Sequence, residues 1–135
     1  MAGPVVYVST WRIKEGRFED YRRFHAELMK LIQDNEPRVV AFHLFANEDA
    51  TEITGLHMYA DTTAVESHME MLAEKMGLLP GDLTKVFEFL EPVRIDVLGV
   101  PGERAMEMDK GLIESGVAYI QKPRHVDGFT RSTAV

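Results

Sequence analysis

Two histidines and a tyrosine offer the most reactive chemistry in the sequence. His57 and Tyr59 stand two residues apart on a predicted strand, so their side chains point to the same face of a sheet. His68 lies in the apolar stripe of a predicted helix, where a neutral imidazole could act as a general base near pH 7. If the strand face meets the helices, all three residues converge on one pocket. One histidine could then remove a proton from a ligand while Tyr59 donates to the oxyanion that forms.

A structural explanation competes with the catalytic one for each residue. His68 could be a core histidine whose ring nitrogens bond a carbonyl or a hydroxyl group, and Tyr59 could pack as an ordinary strand aromatic. No pair of histidines has the sequence spacing of a structural zinc site, although a metal held in space by His57 and His68 stays open. His25 and His43 are isolated in the sequence, and we interpret both as structural or surface residues.

Four further residues are predicted to surround a ligand in the same pocket. Ser9 and Trp11 share one face of the first predicted strand, where the indole could stack on a planar ligand or simply pack. Met69 and Leu72 belong to the same apolar helix stripe as His68. The sequence therefore predicts an apolar pocket with few polar groups.

Composition excludes several classes of function. The chain has 135 residues, no cysteine and a formal net charge of −7. Without cysteine there is no disulfide, thiolate metal site or cysteine nucleophile, and the negative charge argues against nucleic acid and anionic membranes. No apolar run approaches the roughly 18 residues of a spanning helix, and no glycine-rich phosphate loop follows a strand. We expect a cytoplasmic protein that needs no cofactor.

The order of predicted elements defines a fold class. Alternating apolar residues predict four strands, over 5–13, 38–47, 51–60 and 93–98. Helical periodicity predicts two main helices, one over 18–35 and one that begins at a cap among residues 61–63 and runs to about residue 76. A short helix, capped by Asp82 and ended by Pro92, is predicted to bury Leu83, Val86, Phe87 and Leu90. This order is typical of the ferredoxin-like split βαβ fold of the α+β class, with a largely antiparallel sheet and helices on one face.

Two parts of the chain are left over by this arrangement. Val6, Val8, Leu56 and Met58 fall on the sheet face away from the helices, which predicts a homodimer. Residues 1–98 form the predicted domain, and residues 99–135 form a C-terminal extension. The extension is predicted to contain a helix over 103–115 and a strand over 117–121. It is too apolar for a solvated tail, so we expect it to dock on the body or on the dimer partner.

Four sequence segments and the amphipathic first helix carry a resemblance to a known family. The segments are IKEGR at 13–17, GLHMY at 55–59, AVESH at 64–68 and VRID at 93–96. With them, residues 5–98 resemble the antibiotic biosynthesis monooxygenase type of dimeric ferredoxin-like α+β barrel. The resemblance implies two subunits whose sheets face each other, and a cavity between sheet and helices in each subunit.

The resemblance also implies a range of activities. Similar proteins oxygenate hydroquinone-like polyketides without a cofactor, oxidise quinols or degrade haem. His68 matches a histidine of the second helix, and Tyr59 stands where a tryptophan commonly ends the third strand. In the haem-degrading branch an asparagine occupies the place of Ser9, and the iron-ligating histidine falls where this chain has Met71, Ala73 and Met76. Both departures argue against haem.

Three functions are therefore compatible with the sequence. The first is a cofactor-independent monooxygenase that uses dioxygen to oxidise an aromatic polyphenol or quinol, with His68, Tyr59 and His57 as catalytic residues. The second is a non-catalytic protein that binds a small molecule in the same cavity. Haem binding or degradation is the third and the least favoured.

Overall fold

The strands form one mixed sheet, and the amphipathic helices cover one of its faces. The computed structural model describes residues 3–76 and 84–131. Its elements, in chain order, are β1 (Val5–Ile13), α1 (Phe18–Asn35), β2 (Val39–Ala46), β3 (Glu52–Tyr59), α2 (Thr62–Met76), α3 (Thr84–Phe87), β4 (Leu90–Leu98), α4 (Glu103–Glu114) and β5 (Ala118–Lys122). The strand order in the sheet is β2-β3-β1-β4-β5. The first four strands pair antiparallel, as predicted, and β5 joins β4 in parallel.

The apolar stripes of the helices pack on the same face of the sheet. A core cluster joins residues of β1, α1, β3, α2 and α4, including Val5, Ile32, Tyr59, Val65 and Ala105. The start of α2 is capped by Asp61, whose Oδ1 accepts a hydrogen bond of 3.0 Å from the Ala64 N–H. These contacts place the first residues of α2 above the end of β3. The α+β ferredoxin-like fold predicted from the sequence is therefore confirmed.

The C-terminal extension adds to this core. β5 lengthens the sheet beyond β4, and Leu112 of α4 packs against Ile95 and Val97 of β4. At the start of α4, the Arg104 N–H donates a hydrogen bond of 3.1 Å to Glu66 of α2. Gly102 precedes it with φ +99, and a side chain there would collide with the Glu66 carboxylate. The extension is thus built against both α2 and β4.

The last described residues lie outside the packed body. Residues 123–131 are exposed throughout. Val126 is 87% exposed and Phe129 is 82% exposed, and Arg131 places its guanidinium over the Phe129 ring. On the body side, His125 lies directly against Gly3. Only this arm of the extension leaves apolar side chains fully in solvent within the described residues.

The fourth strand begins earlier than the sequence indicates. It starts at Leu90 rather than at residue 93, and Pro92 lies inside it opposite Trp11. The pairing register between β1 and β4 shifts between Thr10 and Trp11, and such an irregularity accommodates a residue that has no N–H to donate. The predicted burial of Leu90 by a short helix is wrong, because Leu90 is buried as part of β4. The predicted helix shrinks to α3, while Asp82 and Leu83 lie outside the described residues.

The opposite face of the sheet carries the apolar residues predicted for it. Val6 pairs with Met58 and Val8 pairs with Leu56 across β1 and β3. Val6, Val8 and Met58 are partly exposed, and Leu56 is exposed to 36%. Phe45 of β2 lies on the same face and is exposed to 66%.

Candidate functional site

A cavity of about 170 Å³ lies between the sheet and the helices. Its wall is largely apolar and aromatic, with contributions from Trp11, Tyr21, Phe24, Phe42 and Leu112. For comparison, a dry apolar cavity of about 150 Å³ in a protein core holds benzene. The volume therefore suits a ligand with a single substituted ring.

All seven residues predicted for the site lie on the wall of this cavity. They are Ser9, Trp11, His57, Tyr59, His68, Met69 and Leu72. β1 and β3 supply the first four, because alternate residues of a strand share a face, and α2 supplies the other three. Their placement agrees with the sequence pattern, and their roles remain predictions.

His68 is paired with a carboxylate that the sequence analysis missed. Its Nδ1 lies 2.9 Å from Oε2 of Glu36, and the two side chains are exposed to only 4% and 8%. Glu36 follows the last residue of α1, so the pair joins the end of α1 to α2. With Nδ1 engaged, Nε2 is the ring nitrogen that remains for a ligand. A carboxylate on one nitrogen orients the ring and stabilises the imidazolium that forms when the other nitrogen takes a proton.

Tyr59 contacts the histidine from the sheet side. Its ring centroid lies 5.4 Å from that of His68 and 6.4 Å from that of Tyr7. Burial raises the pKa of the Tyr59 hydroxyl, and the negative charges of Glu36 and Asp109 raise it further. The hydroxyl therefore stays protonated, as a hydrogen-bond donor must.

His57 has a different environment from His68. Its ring stacks on Phe42 at a centroid distance of 3.7 Å. Burial lowers the pKa of His57 to about 3, with further contributions from the charges of His68 and His25. His57 is therefore neutral at pH 7 and has little tendency to take up a proton. Of the two histidines, His68 is the one whose ring nitrogen lies at hydrogen-bond distance from a carboxylate.

Of the two alternatives for His25, a structural or a surface residue, the structure excludes the surface one. His25 is 7% exposed and lies on the cavity wall, between Tyr21 and Phe42. Burial lowers its pKa to about 4. Its position on the buried stripe of α1 was the signal that could have placed it there.

A second polar cluster on the wall was also missed. The Tyr7 hydroxyl donates a hydrogen bond of 2.8 Å to Oδ2 of Asp109, and the Tyr119 hydroxyl donates to the same oxygen. Tyr7 and Asp109 line the cavity, and Asp109 is only 4% exposed. Asp109 lies in a run of charged residues in α4, which masks its place on the buried stripe with Ala105 and Leu112.

The described parts of the chain contain neither a metal-binding cluster nor a membrane-spanning helix. Within residues 3–76 and 84–131, no group of three or more histidines and carboxylates is arranged to hold a metal ion. Across the same residues, no helix is both long and apolar enough to span a bilayer.

Comparison with solved structures identifies the fold. No protein-family model matches the sequence, and neither does any curated protein. The chain is similar to MupZ from Pseudomonas fluorescens, with a TM-score of 0.64 and 18% identity, over 100% of this chain and 94% of that one. It is also similar to SnoaB, a cofactor-independent oxygenase from Streptomyces nogalater, with a TM-score of 0.56 and 14% identity, over 76% of this chain and 97% of that one.

A third structure of the same kind comes from Bacteroides thetaiotaomicron and is provisionally described as an antibiotic biosynthesis monooxygenase. It is 21% identical, has a TM-score of 0.55 and is matched over 85% of its length by 70% of this chain. The chain therefore has the fold of antibiotic biosynthesis monooxygenase-like proteins, as the resemblance implied. The match to MupZ takes in the whole chain, whereas the match to SnoaB leaves out about a quarter of it.

Proposed function

We propose that this protein is a cofactor-independent monooxygenase that oxidises a small quinol or polyphenol in the cavity. The observation that carries the proposal is the buried Glu36–His68 pair, which contacts Tyr59 on the wall of an apolar cavity. A phenol needs a base before it reacts with dioxygen, and an apolar enclosure strengthens every charge interaction at the reacting atoms. The fold shared with a cofactor-independent oxygenase supports the same activity.

The first step is removal of a phenolic proton. Nε2 of His68 takes the proton, Glu36 stabilises the imidazolium through Nδ1, and the Tyr59 hydroxyl donates to the phenolate oxygen. The negative charge of the phenolate is delocalised onto the neighbouring ring carbon. That carbon is the position that reacts with dioxygen.

The second step transfers oxygen and closes the electron balance. The ring carbon forms a bond to dioxygen, and the resulting peroxide takes the proton held by His68. Loss of the remaining hydrogen from that carbon, as a proton, breaks the O–O bond and leaves a carbonyl group and water. The substrate gains one oxygen atom and loses two hydrogen atoms, and it supplies all four electrons that reduce dioxygen.

Oxygen consumption with a panel of substituted hydroquinones tests the proposal. We expect uptake above the uncatalysed rate, with one atom of isotopically labelled dioxygen in the product. Binding of hydroquinones without such uptake would instead identify a non-catalytic small-molecule-binding protein. Labelled peroxide, without label in the organic product, would indicate simple quinol oxidation.

Two variants connect the activity to the site. His68→Ala should lower turnover roughly a hundredfold or more while the protein stays folded, and Tyr59→Phe should lower it by a smaller factor. His125→Ala is the control, because His125 is exposed and lies away from both the cavity and the open face of the sheet. A His68→Ala protein that melts early yet keeps full activity per folded molecule would make His68 a core histidine.

We also propose that two copies of the chain form a dimer through the open face of the sheet. Support comes from Val6, Val8, Leu56 and Met58 on that face, together with the exposed Phe45. Light scattering at micromolar concentration should give twice the mass of one chain, and Leu56→Glu should give a monomer. Ile113→Glu on the exposed side of α4 is the matched control. A monomer mass for the unaltered protein would refute the dimer.

A further inference from the structure

The Tyr7–Asp109–Tyr119 cluster places a buried carboxyl group on the cavity wall. Both tyrosine hydroxyls donate to Oδ2, and no hydrogen bond reaches Oδ1 within the described residues. Of the three residues, Tyr7 and Asp109 line the cavity, whereas Tyr119 lies behind them on β5. Oδ1 is therefore left to whatever occupies the cavity.

A charged carboxylate is poorly stabilised in such surroundings. Burial raises the pKa of the Asp109 carboxyl, and the hydrogen bonds from Tyr119 and Tyr7 only partly offset this effect. Among the residues that the structure describes, no arginine or lysine lines the cavity to balance a negative charge. A neutral carboxylic acid, in contrast, carries one O–H group that can donate a hydrogen bond.

We propose that Asp109 donates a hydrogen bond from Oδ1 to an oxygen atom of the substrate, at a position separate from the oxygen that faces His68 and Tyr59. The substrate is then a single ring with two oxygen functions, a quinol rather than a monophenol, and its quinone binds in the same way. This inference rests on the proposed function only in taking the cavity to be the substrate site.

The two polar clusters are linked to each other along the cavity wall. Tyr59 contacts both clusters, because its ring lies 5.4 Å from that of His68 and 6.4 Å from that of Tyr7. Tyr7 in turn holds Asp109 through its hydroxyl. Both clusters therefore border the same cavity of about 170 Å³. His68 reaches it from α2, and Asp109 reaches it from α4.

Asp109 also has a structural role, which the test must separate from ligand binding. Its hydrogen bonds tie α4 to β1 through Tyr7 and to β5 through Tyr119. A variant without the carboxyl group loses these ties whether or not a ligand is recognised. Stability alone therefore cannot decide the question.

A matched pair of probes isolates the contribution of the oxygen atoms. Tetramethyl-1,4-benzoquinone and 1,2,4,5-tetramethylbenzene share the ring and the four methyl groups, and only the quinone has carbonyl oxygens. The quinone quenches tryptophan fluorescence, and Trp11 is the single tryptophan of the chain and lies on the cavity wall. The hydrocarbon is measured by competition with the quinone. The chain has no cysteine, so the quinone meets no thiol.

Three proteins are compared with both probes. The unaltered protein should bind the quinone more tightly than the hydrocarbon. Asp109→Ala should weaken quinone binding about fivefold, the loss expected for one neutral hydrogen bond, and leave hydrocarbon binding unchanged. Asp109→Asn should keep quinone binding within about twofold of the unaltered protein, because its amide can accept from the tyrosines and donate to the quinone.

Two results would overturn the proposal. Equal loss of both probes in Asp109→Ala, or no loss of either, would leave Asp109 as a structural tie. Markedly tighter quinone binding in Asp109→Asn would mean that the native carboxyl is ionised and does not donate. If Asp109→Ala does not fold, Asp109→Leu removes the carboxyl group while keeping volume, and hydrocarbon binding reports whether its cavity is intact.

These measurements are independent of turnover. They are made with a quinone, which is already oxidised, and in the absence of dioxygen. An oxygen subsite at Asp109 with no oxygen uptake by any quinol would refute the monooxygenase and keep the inference. If His68→Ala loses turnover but Asp109→Ala does not weaken quinone binding relative to the hydrocarbon, the role of Asp109 is refuted and the monooxygenase proposal is kept.

Discussion

The Glu36–His68 pair and the Tyr7–Asp109–Tyr119 cluster border the same cavity but are built from different parts of the chain. The first comes from the helices of residues 3–98 and couples an imidazole to a carboxylate. The second needs α4 and β5 of the extension and surrounds a carboxyl group with hydroxyls. In the functions proposed above, the first cluster accepts a proton from the ligand and the second donates a hydrogen bond to it.

The C-terminal extension therefore forms part of the cavity wall. Met108, Asp109 and Leu112 of α4 line the cavity together with residues of all the antiparallel strands. A chain ending at residue 98 would lack this wall and its carboxyl group. In the proposed site, the extension therefore contributes the wall that carries Asp109, and the core contributes the proposed base, His68.

The largest effect should come from the packing that joins the two regions. Leu112 is 5% exposed and packs on Ile95 and Val97, so Leu112→Ala should lower the free energy of unfolding by about 3 kcal/mol. We expect a single unfolding transition in calorimetry, because α4 and the sheet share this core. Ile113→Ala is the control, since Ile113 is 44% exposed and should change stability by less than about 0.5 kcal/mol. Two separate transitions would show that the extension folds independently.

Acid should affect the two regions in opposite directions. The pKa of His25 is about 4 in the folded protein against 6.5 for the free side chain, so below pH 6.5 the unfolded chain binds the proton first. Stability should then fall between pH 6.5 and pH 4, by about 3 kcal/mol from this residue. The raised pKa of Asp109 has the reverse effect, because the folded protein keeps its proton while the unfolded chain releases it as pH rises above 3.8.

Denaturant unfolding at a series of pH values distinguishes these contributions. His25→Gln should flatten the loss of stability on acidification, and Asp109→Asn should make that loss steeper. His125→Gln, at an exposed position, should leave the curve unchanged. The same slope in all four proteins would show that neither buried group is responsible.

A smaller effect is expected when the carboxylate of the core pair is neutralised. Glu36→Gln keeps a hydrogen-bond acceptor for His68 Nδ1 but cannot stabilise an imidazolium, so turnover of a quinol should fall about tenfold. The loss should appear in kcat and leave the binding of tetramethyl-1,4-benzoquinone unchanged. Glu74→Gln, on the exposed side of α2, serves as the control. An unaltered kcat would mean that Glu36 only holds α1 and α2 together.

The smallest effect should come from the outer hydroxyl of the extension cluster. Tyr119→Phe removes one of the two donors to Asp109 but leaves Tyr7 in place, so stability should fall by about 1 kcal/mol. The pKa of Asp109 should rise further, because the Tyr119 hydrogen bond lowers it. Binding of the quinone should not change, since Tyr119 does not line the cavity. A fall in quinone binding would place Tyr119 within the binding site itself.

Periodicity predicted most of the elements well. The bounds of β1 and α1 and the end of α2 agree with the sequence pattern, because long amphipathic segments have an unambiguous period. The start of β4 was missed because Pro92 normally ends an element. Its place in the strand depends on the register shift opposite Thr10 and Trp11, which is a property of two paired strands and is not visible in either one.

The sequence predicted which of the candidate residues share the cavity wall, but it did not predict their polar partners. His57, Tyr59 and His68 were found because face and stripe follow directly from position in an element. Glu36 was missed because a glutamate before a proline at a helix end is usually solvated, and its burial comes from α2 packing above it. Asp109 was missed because both of its partners are distant in sequence, and one of them lies in β1.

The central place of β1 in the sheet affects how the chain can fold during synthesis. β1 is made first, yet its neighbours β3 and β4 come from residues 52–59 and 90–98. While the chain emerges from the ribosome, one or both edges of β1 therefore remain unpaired until β4 has been made. Unpaired edges of this kind can join other chains, so the nascent protein passes through a stage at which it is open to misassembly. This stage ends when β4 pairs with β1; β5 then pairs with β4 and completes the sheet.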